Sequence, residues 1–227
     1  PIGAGAAVGC HDAAIRQVLR AQLTARGYRT YEVRSGEEIL RAVPLWRPEV
    51  IILDLGLPDM DGLEVIQRLR LSTTTPIIIL SVHAAESDKI AALDAGADDY
   101  LTKPCRPDEL DERIRAMLSR KSFQGAVFES RDLVVDLDRG TVQIGKNEIH
   151  LTATEYEVLK VLVLNAGRLL TQRRLTHEVW GKEHDDEALR LLRTTIGTLR
   201  EKFGANPLRL RYIATEPGVG YRQRPRQ

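Results

Sequence analysis

The chain has 227 residues, 43% hydrophobic and 29% charged, which excludes a disordered or fibrous protein and leaves room for two ordinary domains. No apolar run reaches the length of a bilayer span, and two cysteines, Cys10 and Cys105, exclude a disulfide framework and predict a reducing, cytoplasmic setting. The formal net charge of +1 hides a polarity: residues 1–120 carry 15 Lys and Arg against 18 Asp and Glu, residues 121–227 carry 18 against 14, and Arg190 to Gln227 carries 9 against 2. A basic end of this kind predicts contact with an anionic polymer.

In chain order, Ala6 to Gly9 is a short strand. Asp12 to Arg26 is a helix, with Ile15, Val18, Leu19 and Leu23 on one face and Gly27 as its stop. Thr30 to Val33 is strand-like, and Ser35 with Glu38 forms a capping box that opens a helix through Val43. Val50 to Leu53 is four apolar residues in a row, the pattern of a strand buried on both faces. It stops at the carboxylate of Asp54, and Pro58, Asp61 and Gly62 then break the pattern. Leu63 to Leu71 is helical, Ile77 to Leu80 is a second apolar strand, and Ser87 to Ala95 is a helix ended by Gly96. Tyr100 and Leu101 make a short strand, and Pro107 sits where a helix through Arg120 can begin.

Five strands alternating with five helices predict a doubly wound α/β fold with a parallel sheet. Asp54, Ser81 and Lys103 then lie at the carboxyl ends of three strands, where such sheets place their chemistry. Together a carboxylate, a hydroxyl and an ammonium can manage a phosphoryl group: the Asp oxygen is the nucleophile, Lys offsets charge, and the hydroxyl donates to a phosphoryl oxygen. Singly, each residue is an ordinary turn or loop residue.

Residues 1–120 resemble the receiver domain of bacterial two-component response regulators. The resemblance rests on Leu53-Asp54-Leu55-Gly56-Leu57-Pro58-Asp59-Met60-Asp61-Gly62, on Ser81 after Ile77 to Leu80, and on Ala95-Gly96-Ala97-Asp98-Asp99-Tyr100-Leu101-Thr102-Lys103-Pro104. It implies that Asp54 is the phosphoacceptor, that Ser81 and Tyr100 are a switch pair, and that Lys103 contacts the phosphoryl group. It also implies a Mg2+ ion on Asp54 and the Gly56 backbone carbonyl. Receivers usually carry two acids after the first strand, and alignment on Ala14-Ile15-Arg16 puts Cys10 and His11 there, with Asp12 next as a third candidate ligand. Mg2+ prefers oxygen ligands, so this substitution predicts weak Mg2+ binding and phosphorylation at Asp54 that is weakened or dispensable. The softer pair also suits a metal such as Zn2+.

The charged residues Lys89, Asp98, Asp99, Glu109, Arg113 and Arg120 match the dimer face of the OmpR/PhoB family. The resemblance pairs Lys89 with Glu109, Asp99 with Arg113, and Asp98 with Arg120 across a two-fold axis, which would set register more than affinity.

A polar stretch at 121–126 is the expected linker between a receiver at 1–120 and a second domain at 127–227. In the second domain, Val127 to Leu137, Thr141 to Ile144 and Glu148 to Leu151 are short antiparallel strands. Thr152 and Glu155 form another capping box, opening a helix with Tyr156, Leu159, Val163 and Leu164 inward. Helices follow at Thr171 to Trp180 and Glu187 to Phe203, then a hairpin from Arg211 to Gln223. This is an α+β winged-helix outline. Leu151 to Tyr156, Leu199 to Phe203 and Gly218 to Arg222 resemble the DNA-binding domain of the OmpR/PhoB family. The resemblance puts the last helix in the major groove, with Arg190, Arg193, Thr194 and Thr198 on its contact face, Arg200 and Lys202 at phosphates, and Arg222 on the wing.

Glu86 to Gly96 and Leu192 to Arg200 further resemble one branch of that family, the regulators of potassium-uptake operons. The partners implied are double-stranded promoter DNA, a sensor histidine kinase, RNA polymerase and a second copy of the chain. Two rival classes differ. A phosphatase with an Asp nucleophile of the haloacid dehalogenase type wants a second acid two residues on, where Gly56 offers none; a degenerate receiver can instead serve purely as a protein-interaction module.

Overall fold

The computed structural model describes residues 3–118, 126–181, 186–204 and 212–224. The chain divides into two compact units, Pro1–Leu118 and Ser119–Gln227. The expected linker at 121–126 lies outside the described residues except for Ala126, as does Arg120.

The first unit alternates β1 (Gly5–Gly9), α1 (Ala13–Ala25), β2 (Arg29–Val33), α2 (Gly36–Trp46), β3 (Val50–Leu53), α3 (Gly62–Arg70), β4 (Ile77–Ser81), α4 (Glu86–Asp94), β5 (Asp99–Thr102) and α5 (Pro107–Leu118). All strand pairs are parallel, in the order β2-β1-β3-β4-β5. The strand order therefore reverses between β1 and β3, and the carboxyl ends of those two strands flank the crevice where such sheets bind ligands. Val50, Ile51, Ile52 and Leu53 are no more than 1% exposed, as a strand covered on both faces requires. One face packs Val8, Val50, Ile52, Ile78 and Leu80 against Leu19 and Leu23 of α1 and Leu110, Ile114 and Met117 of α5.

The α1 register differs from expectation. Val18 is 53% exposed, while Arg16 is buried with Leu19 and Leu23. Successive helical residues are about 100° apart, so the inward stripe at 16, 19 and 23 leaves position 18 about 100° from its nearest member, Leu19, and turned toward solvent.

The second unit holds β6 (Val127–Ser130), β7 (Leu133–Asp136), β8 (Thr141–Ile144), β9 (Asn147–Glu148), α6 (Ala153–Leu164), β10 (Leu170–Thr171), α7 (Gln172–Trp180), α8 (Asp186–Lys202), β11 (Ile213–Glu216) and β12 (Gly220–Gln223). The expected strand from Val127 to Leu137 is two strands, because Arg131 takes a left-handed φ of 60° and turns the chain. The strand expected at Glu148 to Leu151 ends at Glu148. The capping box is complete: Thr152 Oγ1 accepts from Glu155 N, and Glu155 Oε2 accepts from Thr152 N. Leu164, expected inward, is 46% exposed at the helix end, one step off the stripe of Leu159 and Val163. The helices α6, α7 and α8 share one core with β11 and β12, through Leu159, Leu162, Leu175, Leu192, Ile196, Leu199, Ile213 and Tyr221. A short strand that the sequence does not announce, β10, joins β12 and β11 in a three-stranded wing sheet.

Candidate functional site

Cys10 follows β1, Asp54 follows β3, Ser81 ends β4, and Lys103 follows β5. The backbone locks these strand ends together: Asp54 N donates to Gly9 O at 2.8 Å, and Lys103 N donates to Ser81 O at 2.7 Å. The Lys103–Pro104 peptide is cis.

At this rim the Asp54 carboxylate is 7% exposed. Its Oδ2 accepts from Lys103 Nζ at 2.6 Å and from Cys10 Sγ at 3.3 Å, and its Oδ1 accepts from Gly56 N at 3.1 Å. Burial by itself raises a carboxyl group, but the Lys103 and Gly56 donors outweigh it and hold Asp54 below its ordinary value. Asp54 is thus an ionised carboxylate beside a fixed cation. The Cys10 thiol is pushed up by burial, against the pull of Lys103. The Ser81 hydroxyl accepts from His83 N at 3.2 Å. Tyr100 is buried, with its hydroxyl donating to His83 O at 2.7 Å, and burial raises its phenol.

Among the described residues, Cys10, His11 and Asp54 form the one group of three side chains with metal-ligand spacing, their ligand atoms lying within 4.8 Å of one another. Asp12 is not in it. Its Oδ1 accepts from Ala14 N and Ile15 N, so this carboxylate caps α1, and those amides hold it below its ordinary value. Asp12, expected as a further candidate ligand, therefore has one oxygen committed to the first-turn amides and stands outside the cluster. A hard Mg2+ ion wants oxygen ligands, and one carboxylate with a thiol and an imidazole does not fit it.

Sequence reasoning missed Arg16. Its guanidinium is buried, and Nη1 donates to Cys10 O at 2.5 Å and His11 O at 2.7 Å. It clamps the loop that carries both substituted positions. An arginine one turn into an amphipathic helix reads as a surface residue, so no signal in the sequence marked it.

On the expected dimer face, Lys89 lies on α4, Asp99 on β5, and Glu109 and Arg113 on α5. Asp99 is fully buried, and Arg113 reaches it within the chain at 3.6 Å and Glu109 at 3.8 Å. Asp98 departs from its expected outward role. It is 2% exposed, and its Oδ2 accepts from Arg70 Nη2 at 2.6 Å and Ile77 N at 2.8 Å, which ties α3 to the head of β4.

In the second unit, Arg190, Arg193 and Thr194 are exposed and Thr198 is half-buried, forming one stripe along α8. Three other expected DNA contacts are held inside the unit. Arg200 Nη2 donates to Ile213 O at 2.9 Å and Thr215 Oγ1 at 2.7 Å, bracing the wing. Lys202 Nζ bonds Glu155 Oε2 at 2.6 Å and His150 O at 3.0 Å. Arg222 is 5% exposed and donates to Gly167 O at 2.9 Å. These side chains fix the positions of α8 and the wing rather than reaching outward.

The comparisons with known proteins agree with this architecture. The response regulator receiver domain family matches residues 11–115, and the family described as transcriptional regulatory protein, C terminal, matches residues 146–223. The KDP operon transcriptional regulatory protein KdpE of Escherichia coli K12 is 44% identical over 214 residues, covering 93% of this chain and 95% of that protein. The transcriptional regulatory protein KdpE of Mycobacterium tuberculosis H37Rv is 42% identical over 212 residues, covering 92% and 93%. The crystal structure of DrrB, a Thermotoga maritima OmpR/PhoB homologue, is 30% identical with a TM-score of 0.51, covering 98% of this chain and 99% of that one. A receiver fold with Asp54, Ser81 and Lys103 on one rim and a winged helix with an exposed α8, each matched by its family model and together by nearly full-length relatives, place the chain in the response regulators of the OmpR/PhoB type, the DNA-binding transcription regulators of two-component systems.

Proposed function

We propose that the chain is a KdpE-like regulator of a potassium-uptake operon, served by a KdpD-like sensor histidine kinase, in which Mg2+-dependent phosphorylation of Asp54 is weakened or dispensable. The observation that carries this reading is the Cys10 thiol 3.3 Å from Asp54, where a receiver usually offers a carboxylate to Mg2+. In phosphoryl transfer, an Asp54 oxygen attacks the phosphorus of the kinase phosphohistidine and the P–N bond breaks. Lys103 and Ser81 then stabilise the phosphoryl oxygens, and Tyr100 responds to the Ser81 displacement. This rim keeps the nucleophile and its two helpers.

Pairing of receivers through Lys89 with Glu109 and Asp99 with Arg113 brings two winged helices onto promoter DNA, with RNA polymerase as the downstream partner. In the single chain Arg113 already faces Asp99, so dimerisation exchanges an internal ion pair for one between subunits. On DNA, α8 lies in the major groove, with Arg190, Arg193, Thr194 and Thr198 toward bases and phosphates. No helix of the described residues is long and apolar enough to cross a membrane.

The test is treatment of the purified full chain with a small phosphodonor, with and without Mg2+, alongside its oligomeric state and its binding to duplex DNA. Weak Mg2+ dependence is expected, with DNA binding retained by Asp54→Asn. Tight Mg2+-dependent binding of a beryllium fluoride phosphoryl mimic, abolished by Asp54→Asn, refutes the weakened-phosphorylation reading. Failure to bind any duplex at low salt refutes the DNA-binding one and favours an interaction module.

A further inference from the structure

We propose that Cys10, His11 and Asp54 form a binding site for a borderline-soft divalent cation of the Zn2+ class, held by one sulfur, one nitrogen and one oxygen. The proposal deepens the reading of this rim as the regulatory site, but it stands on the geometry alone.

Four observations carry it. The first is convergence. Cys10 Sγ lies 3.3 Å and His11 Nδ1 3.9 Å from Asp54 Oδ2, and all the ligand atoms fall within 4.8 Å of one another. Ligands of a tetrahedral zinc ion, with bonds of about 2.0–2.3 Å, lie roughly 3.3–3.8 Å apart. Closing this set around a cation therefore takes only small side-chain movements.

The second is support from behind. Arg16 Nη1 holds the backbone carbonyls of both Cys10 and His11, and Gly56 N holds the far oxygen of Asp54. Groups that orient ligands from outside the coordination sphere commonly change metal affinity by about 10–100-fold. The ligand residues are thus fixed by bonds that a bound cation leaves intact.

The third is access. Cys10 is 2% exposed and Asp54 is 7% exposed, but the His11 side chain is 53% exposed, so it closes the site from the solvent side. Three protein ligands leave a fourth position open.

The fourth is selectivity. Sulfur and imidazole nitrogen favour Zn2+, Co2+ and their neighbours over Mg2+. The nearest further carboxylate in sequence, Asp12, spends its Oδ1 on the first-turn amides of α1 and stands outside the Cys10–His11–Asp54 cluster. Metal–sulfur bond formation sends the Cys10 thiol proton to solvent. It also engages the Asp54 oxygen that Lys103 holds, so the filled site and the Lys103–Asp54 bond compete.

Titration of the full chain with Co2+ tests the proposal, because thiolate ligation gives cobalt a charge-transfer absorption that oxygen ligands do not. One equivalent of Co2+ should produce this band, Zn2+ should abolish it, and excess Mg2+ should leave it. Cys10→Ser should lose the band, His11→Ala should weaken binding by about tenfold or more, and Cys105→Ser should retain the wild-type result. His11 is exposed, so its variant keeps the test valid if Cys10→Ser fails to fold. Absence of the band in the wild type, its persistence in Cys10→Ser, or unchanged affinity in His11→Ala overturns the proposal. Beryllium fluoride uptake with Mg2+, measured on the metal-free chain, addresses the phosphorylation reading separately and does not alter the cobalt outcome.

Discussion

Cys10 Sγ stands 3.3 Å from Asp54 Oδ2, the oxygen that Lys103 also holds. A thiol in that position leaves the rim its carboxylate and its lysine but offers no oxygen ligand to a hard cation. Putting oxygen back should restore hard-metal binding. The double variant Cys10→Asp with His11→Asp is expected to bind Mg2+ on the order of tenfold or more tighter than the wild type. Mg2+ titration in the presence of beryllium fluoride measures it, with His11→Asp alone as the exposed-site control. Equal affinities would show that the substituted pair is not what limits Mg2+.

Glu155 supplies a pH-dependent contribution in the second unit. Burial raises its carboxyl, but the hydrogen bonds from Lys202 Nζ and Thr152 N outweigh it and hold the group below its ordinary value. A group with a depressed folded pKa stabilises the fold fully above its unfolded value, and that stability disappears as pH falls through the folded one. Glu155→Gln keeps the shape and loses the charge. It should cost about 1 kcal/mol at neutral pH, since Lys202 is partly solvated, and the gap to wild type should narrow as pH falls below the ordinary glutamate value of about 4.3 and close below the lowered folded one. Urea unfolding across that range, followed by circular dichroism, measures it. A gap that stays constant with pH would place the cost in packing instead.

The fold was legible because its strands are extreme. Val50 to Leu53 and Ile77 to Leu80 are apolar throughout, and glycines and capping residues mark the helix ends. The site was legible as positions, since Asp54, Ser81 and Lys103 fall at the carboxyl ends of strands that the alternation implies are parallel, although the order of those strands in the sheet was not legible. Side-chain direction was the illegible part. Arg200, Lys202 and Arg222 look like DNA contacts because they are basic and lie in basic segments, yet each finds a carbonyl or carboxylate nearby in space and distant in sequence. Asp98 similarly meets Arg70 from 28 residues away. Charge type is local information, whereas a partner such as Gly167 O for Arg222 exists only once the chain has folded.

That distinction separates two arginines of α8. Arg193 is exposed on the proposed groove face, while Arg200 spans to Ile213 O and Thr215 Oγ1. Arg193→Ala should weaken duplex binding by about 1–3 kcal/mol and leave the melting temperature unchanged. Arg200→Met should lower the melting temperature, because two wing acceptors lose their donor, and should leave the salt slope of DNA binding near the wild-type value. Fluorescence anisotropy over a salt series, paired with thermal melts, separates the two. A steeper loss of salt dependence in Arg200→Met than in Arg193→Ala would reverse the assignment.

Two glycines of the second unit should respond to alanine with opposite signs. Gly197 lies inside α8, and a Cβ there meets nothing within 4 Å. Glycine inside a helix costs about 1 kcal/mol relative to alanine, so Gly197→Ala should stabilise the fold by about that amount. The same Cβ lies between Arg193 and Thr198 along the helix, so it narrows the approach of α8 to a groove floor and should weaken DNA binding. Gly220 begins β12 where it pairs with β10, and a Cβ there falls 1.8 Å from Leu170 O. That atom is backbone and cannot rotate away, so Gly220→Ala must displace one strand of the wing sheet. A loss of about 3 kcal/mol or more is expected, the upper end of overpacking costs. Thermal melts of both variants and duplex binding by Gly197→Ala check this pair. A Gly197→Ala chain that is more stable and binds DNA as well as wild type would show that the α8 backbone does not approach the duplex closely.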